Sequence, residues 1–220
     1  MKMGVVGRGQ TGKAVITVLG ERVGEIFSTA NPLEPSKLKG LQALIVFVPA
    51  LAFQSILPAL LESRLPVICG TTGYSWDDGF SEELKRRNLT WIAGSNFSPG
   101  MNFMFVLADL IKRNAEFLGN PDLRIHDLHH VHKKDSPSGT ALTLQRRLGS
   151  DIPIFSEREG SHPGLHEIIL SSPLETMTFK HEAMSRLAFA EGAVYAADQL
   201  LPVLKPGLHF FETLMKEKIC

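Results

Sequence analysis

Residues 43–48 read Ala-Leu-Ile-Val-Phe-Val, an apolar run too short for a helix and too continuous for a strand with one face in water. It fits a strand buried on both faces, the condition inside a parallel sheet layered with helices. Further strands are read at Met3 to Val6, Val23 to Phe27, Pro66 to Cys69 and Leu89 to Ala93. Between them lie Thr11 to Leu19, Ala52 to Ser63 and Asp78 to Arg87, amphipathic stretches that predict helices. Repeated βα units predict an α/β fold with a doubly wound parallel sheet, and place a ligand at the carboxyl ends of its strands.

After Asn96 the pattern changes. Met101 to Phe117 reads as one long helix, Leu123 to Leu128 as a strand entering a polar loop, and a short helix follows Gly139. Asp151 to Pro173 is loop-like around Gly160, Pro163 and Gly164, with antiparallel strands expected at Glu167 to Leu170 and Thr176 to Lys180. Helices return at Ala190 to Leu204 and Phe210 to Lys216. No internal repeat is visible in the 220 residues, so the expected architecture is a nucleotide-binding domain plus a smaller α+β domain.

Composition removes several function classes. Lys plus Arg (23) balances Asp plus Glu (23), which leaves no general field for nucleic acid or an anionic membrane. Leu41 to Leu61 carries no charge, yet Gln42, Gln54, Ser55, Pro49 and Pro58 break it into a strand-sized and a helix-sized piece, against a membrane span. Arg8 and Lys13 interrupt the amino-terminal apolar stretch, against a signal peptide. Cys69 and Cys220 make neither a disulfide framework nor a zinc cluster, so a cytoplasmic, reducing compartment is expected.

Gly7-Arg8-Gly9-Gln10-Thr11-Gly12 satisfies G-x-G-x-x-G between a strand and a helix. Its glycines suit a tight turn, close approach to a pyrophosphate and helix–strand packing, with helix N–H groups facing the anion. The alternative is a tight βα turn without a ligand. Glu25 is near the distance at which an acid holds the ribose of NAD but falls inside the second strand, whose end reads Ser28-Thr29-Ala30-Asn31 with no arginine beside it. NADH and NADPH both stay open. Gly70-Thr71-Thr72-Gly73 and Gly94-Ser95-Asn96-Phe97 end predicted strands on the same edge, where they serve either a nicotinamide and ribose or ordinary turns.

The segment His129-His130-Val131-His132-Lys133-Lys134 places three histidines and two lysines in six positions, charges that repel unless an anion is bound. An acidic substrate fits, and Pro137-Ser138-Gly139-Thr140 reads as a helix start able to receive a carboxylate. A metal held by His130 and His132 is disfavoured by the lysines beside it, so no metal is expected. Solvated surface histidines are the remaining alternative.

The run from His129 to Ala141 closely resembles the signature of the dihydrodipicolinate reductase family, NAD(P)H enzymes of the diaminopimelate and lysine pathway. Gly7 to Gly12, Gly70 to Gly73, Ser95 to Ser98, Arg158-Glu159-Gly160, Gly164-Leu165-His166 and Ser185 to Ala193 resemble the same family in order. The resemblance implies a Rossmann domain, 1–98 plus 187–220, completed by the carboxyl-terminal helix, and a substrate and oligomerisation domain, 99–186, with a mixed sheet that makes a homotetramer. It implies His129 as acid/base at the reacting ring and Lys133 as second proton donor. His130, Gly139 and Thr140 would hold the carboxylates of a small dicarboxylate substrate. Gly7, Arg8, Gly9, Gln10, Thr11, Gly12, Gly70, Thr71, Thr72, Gly94, Ser95, Asn96, Phe97 and Arg186 would hold NADH or NADPH, and Phe189 matches a position near the dinucleotide.

The chain is shorter than the family pattern after the second strand and between Gly160 and Gly164. Its rivals are a non-catalytic dinucleotide sensor and a related reductase of another imino or keto acid. Hydride delivery to a cyclic imine moves electron density onto the ring, which calls for a nearby acid such as imidazole.

Overall fold

The computed structural model describes residues 1–131, 133–160 and 162–220. Two compact units divide the chain: Met1–Ser98 with Arg186–Glu217, and Pro99–Ser185 with Lys218–Cys220. Arg186 thus falls in the first unit and the last three residues in the second.

In the first unit, β1 (Met3–Val6), β2 (Val23–Phe27), β3 (Ala43–Val46), β4 (Val67–Cys69) and β5 (Thr90–Ala93) alternate with α1 (Gln10–Leu19), α2 (Ala50–Glu62) and α3 (Phe80–Arg86). The six strands lie in the order β10-β5-β4-β3-β1-β2, where β10 is Gly207–Phe210, and every pairing is parallel. The doubly wound sheet expected from the apolar runs is present. Its central strands β1, β3 and β4 are continuous in apolar residues because each face is covered. Met3, Val5, Ala43, Ile45, Ile68 and Ile92 enter one core with Val15, Ala193 and Phe211. Their neighbours Val6, Leu44, Val46, Val67, Cys69 and Trp91 enter the other with Phe53, Leu60 and Leu84. Each such buried Leu, Ile or Val contributes about 1.5–3 kcal/mol of transfer free energy, so β3 is an anchor of the sheet.

In the second unit α4 (Pro99–Arg113) begins at a proline and ends in Lys112 and Arg113, a favourable arrangement for the helix termini. Met101, Met104, Phe105, Ala108 and Ile111 form one apolar face at helical spacing. That face and α5 (Gly139–Leu148) share a core with a mixed sheet of β6 (Asp122–His129), β7 (Ile154–Arg158), β8 (Leu165–Ser171) and β9 (Thr176–Glu182). Its order is β7-β6-β8-β9, with β6 and β7 parallel and the other pairs antiparallel. Among the described residues no helix is long and apolar enough to cross a membrane.

Three sequence expectations change. The loop-like segment after Asp151 contains β7, whose inward positions include Ser156 and Arg158 and so show no apolar alternation. The expected helix from Ala190 to Leu204 is α6 (Leu187–Tyr195) followed by π-helical turns at Ala196–Leu200 and a 3₁₀ turn at Leu201–Val203. The segment before the last helix contains β10, a four-residue strand that passes directly into α7 (Phe211–Ile219). Phe211 has no exposure and stacks on Phe97 with ring centroids 4.7 Å apart. Phe211→Ala is expected to lower stability by about 3–5 kcal/mol in urea unfolding, through a cavity at this join; a change under about 1 kcal/mol would contradict it.

Candidate active site

Three backbone segments reach one edge of the first unit's sheet because they follow parallel strands. Gly7 follows β1 and donates its N–H to Phe27 O (3.0 Å), Gly70 follows β4 and donates to Val46 O (2.9 Å), and Gly94 follows β5 and donates to Cys69 O (3.0 Å). The chain passes from β1 to β2 on one side and then to β3 on the other, and ligands of such sheets bind at that reversal. A cavity of about 420 Å³ lies there, lined by Gly7, Arg8, Gly9, Ser28, Thr29 and the segment around Pro49, among others.

The three glycines of the turn after β1 meet different surroundings. A Cβ on Gly7, which has φ +109°, would stand 2.2 Å from Phe47 O, and one on Gly12 would stand 2.1 Å from Gly7 O. A Cβ on Gly9 would meet nothing within 4 Å. The first and third glycines are therefore dictated by close backbone packing, whereas the second borders open space. Gly9 caps α1 without a side-chain hydrogen bond, and the first turn of α1 carries no acidic residue, so its N-terminal field is not neutralised locally. Arg8 and Gln10 are exposed and Thr11 is half-buried.

Glu25 lies within β2, where its Oε1 accepts hydrogen bonds from Asn31 Nδ2 (2.9 Å) and Ile26 N (3.2 Å). That carboxylate is committed to the strand end. Arg8 lines the same cavity as Ser28 and Thr29, a proximity that the fold creates between residues separated in the chain.

Thr71 is buried and Thr72 exposed in the loop after β4. In the loop after β5, Ser95 donates through N and Oγ to Glu212 Oε1, both at 2.6 Å, and Asn96 N donates to the same oxygen at 3.3 Å. Phe97 is buried between Phe211 and Phe47. Arg186 is half-buried at the start of α6.

In the second unit the polar chemistry gathers around Asp127, which has no exposure. The strand alternation puts Ile125, Asp127 and His129 on one face of β6, and Ile125 enters the apolar core. The register then places Ser156 of β7 and His166 of β8 on either side of Asp127, with Arg158 beside His129. Asp127 Oδ2 accepts from Ser138 N (3.0 Å) and Ser156 Oγ (3.1 Å), and the Arg158 guanidinium approaches it at 3.4 Å. Asp127 Oδ1 accepts from Ser138 Oγ (2.7 Å) and faces His129 Nδ1 at 3.0 Å and His166 Nε2 at 3.3 Å.

Burial opposes ionisation of Asp127, but hydrogen bonds from His129, His166 and Ser138 outweigh it and hold the carboxyl far below the usual carboxylate range. Burial lowers the His166 imidazole, and the charges of His129 and Lys133 lower it further against the pull of Asp127. Asp127, His129 and His166 offer atoms within 4.8 Å of one another, close enough for a cation. Ser138, Ser156 and Arg158 already occupy the carboxylate, and the guanidinium would repel an added positive charge.

Ser138 also caps α5, its Oγ accepting from Ala141 N at 3.1 Å, so one residue ties the buried carboxylate to the helix start. Gly139 is exposed with open space where a Cβ would stand, and Thr140 is half-buried. Lys133 Nζ donates to Asp135 Oδ1 at 2.9 Å. Partial burial would raise the Asp135 carboxyl, but the bond and charge of Lys133, with backbone amides including that of Gly139, hold it low. His130 is half-buried next to His129, and its N–H donates to His162 O (3.0 Å). His132 lies outside the described residues. Gly164, at φ +157°, brings its backbone against the His129 ring: a Cβ there would stand 3.0 Å from His129 Nε2.

Sequence reasoning gave Asp127, Ser138, Ser156, Arg158 and His166 no individual roles. The i, i+2 spacing of Asp127 and His129 was a usable signal, whereas Ser156, Arg158 and His166 arrive through strand register. Asp127→Asn places an amide N–H among donors and breaks a buried pair, so a loss of about 3–5 kcal/mol near neutral pH is expected. A folded carboxyl pKa below the unfolded value of about 3.9 gives stabilisation that is complete above that value and lost as pH falls. The gap between wild type and D127N should therefore narrow below about pH 4 in chemical unfolding; a gap independent of pH would contradict the buried anion.

The family described as dihydrodipicolinate reductase, C-terminus, matches residues 100–215. A protein of Christiangramia forsetii named 4-hydroxy-tetrahydrodipicolinate reductase is 31% identical over 221 residues, covering 91% of this chain and 92% of that protein. One of the same name from Bdellovibrio bacteriovorus is 34% identical over 181 residues, covering 80% and 77%. Among solved structures, dipicolinate-bound dihydrodipicolinate reductase from Paenisporosarcina sp. TG-14 shares the fold with a TM-score of 0.76 at 18% identity, covering 97% of this chain and 99% of that one.

Proposed function

The chain belongs to the dihydrodipicolinate reductase family, and we propose that it reduces 4-hydroxy-tetrahydrodipicolinate to tetrahydrodipicolinate in the diaminopimelate branch of lysine biosynthesis. The observation that carries this reading is His129, a nearly buried imidazole (6% exposed) backed by the ionised Asp127 and followed by an open helix start. This arrangement suits proton delivery to an anionic substrate, and a non-catalytic dinucleotide sensor has no need of it.

His129 Nδ1 faces Asp127, which leaves Nε2 to give a proton to the ring as negative charge develops there. Lys133 brings an ammonium and a second proton. The backbone at Gly139 and Thr140, at the amino end of α5, with His130, receives the substrate carboxylates. The contact of Lys133 Nζ with Asp135 Oδ1 at 2.9 Å is consistent with a carboxylate next to these groups.

A nicotinamide dinucleotide, NADH or NADPH, supplies hydride when bound. Gly7 to Gly12 suit its pyrophosphate, given the open space at Gly9, while Gly70 to Thr72, Gly94 to Phe97 and Arg186 serve its nicotinamide half. Ser28, Thr29 and Arg8 on one cavity, with Glu25 committed elsewhere, are compatible with either adenine ribose. Reduced cysteines fit a cytoplasmic enzyme: burial pushes the Cys69 thiol up to about 11, which makes it inert, and Cys220 is free. A homotetramer built on the mixed sheet is the expected assembly; Phe155, 53% exposed on β7, is available to it.

The test is loss of the reduced-nicotinamide absorbance with freshly condensed aspartate semialdehyde and pyruvate, with NADH and NADPH in turn. Turnover is expected, and His129→Gln and Lys133→Ala should each lower kcat by about 10²-fold with little change in cofactor affinity. Binding of the dinucleotide without turnover would favour the sensor. Gly9→Ala should keep the wild-type melting temperature and weaken cofactor binding about 10-fold, a steric loss of about 1.4 kcal/mol; unchanged affinity would remove the pyrophosphate from this turn.

A further inference from the structure

The buried imidazole of His166 takes no part in the reaction as written, yet its surroundings fix its protonation. Ser138 Oγ gives its single proton to Asp127 Oδ1 at 2.7 Å and accepts from Ala141 N at 3.1 Å. A hydroxyl has no second proton to give, so the 3.2 Å contact between Ser138 Oγ and His166 Nε2 is a donation by the imidazole. His166 is thus the Nε2–H tautomer. Its Nδ1, buried with no hydrogen-bond partner among the described residues, is a bare lone pair, less costly there than a stranded N–H. The same Nε2 lies 3.3 Å from Asp127 Oδ1, the oxygen that His129 Nδ1 faces at 3.0 Å. The two rings meet edge to face with centroids 5.2 Å apart.

We propose that His166 is a positioning residue for His129: its Nε2–H, shared by Ser138 and Asp127, holds the carboxylate in the orientation that makes His129 the Nδ1–H tautomer and leaves its Nε2 to handle the substrate proton. This deepens the reading of His129 as proton donor and rests on it. The charged and titratable groups around the pair agree. Arg158 of β7 balances Asp127, His181 of β9 stands opposite His166 in the register, and Lys133 adds positive charge. A second proton is therefore disfavoured on His166.

The experiment compares wild type, H166L and H166Q by ¹⁵N NMR of histidine-labelled protein, with His129 assigned through H129Q, alongside kcat and KM. Above the imidazole titration, His129 in the wild type should show a protonated Nδ1. In H166L the signal should move towards the Nε2–H form that free imidazole side chains prefer, with kcat about 10-fold lower and the cofactor KM within about twofold. H166Q places an amide N–H near the lost one and should restore the tautomer and most of the turnover. If leucine prevents folding, H166N, whose amide is one bond short, replaces it in the comparison. An unchanged His129 tautomer in H166L, or H166Q as impaired as H166L, overturns the positioning role. A tautomer switch in H166L together with wild-type turnover in H129Q sustains that role and overturns the assignment of His129 as the acid.

Discussion

The contact on which the second unit depends is that of a fully buried carboxylate with its donors. An ionised group taken from water loses several kcal/mol of solvation, and Asp127 recovers it only because Ser138, Ser156, Arg158, His129 and His166 surround it. These donors come from β6, β7, β8 and the start of α5. One buried charge therefore fixes the register of three strands and the entry of a helix. It also orients an imidazole whose other nitrogen lies against the backbone of Gly164. The stability of this corner and its chemistry have the same source.

The first unit obeys a different constraint. Its central strands β1, β3 and β4 are apolar and buried on both faces, and the glycine-bearing turns lie at the carboxyl edge where the strands end. In the turn after β1, close packing dictates Gly7 and Gly12, whereas Gly9 borders open space. At the other end of that edge, Glu212 occupies the backbone donors of Ser95 and Asn96, so the loop after β5 takes its shape from the first turn of α7.

Where the signal was local, the sequence was legible. The apolar runs gave five strands of the parallel sheet, the glycine turn marked α1, and the polar run from His129 to Thr140 marked the segment on which His129, Ser138 and Gly139 converge. Strand β7 escaped because its inward residues Ser156 and Arg158 serve Asp127, and a polar inward face carries no apolar period. Strand β10 escaped because four residues joined directly to a helix show neither period nor turn. His166, Arg158 and Glu212 reach their partners across many residues of chain, through register or packing, and one sequence holds no trace of such pairings. Arg8 joins Ser28 and Thr29 at one cavity for the same reason.

The arrangement around Asp127 requires it to stay ionised without access to water. The most direct test is a ¹³C titration of the Asp127 side-chain carboxyl, from neutral pH down to the onset of acid unfolding. A carboxylate signal with no inflection over that range is expected. An inflection near the ordinary value of about 3.9 would contradict it, and with it the orientation of His129.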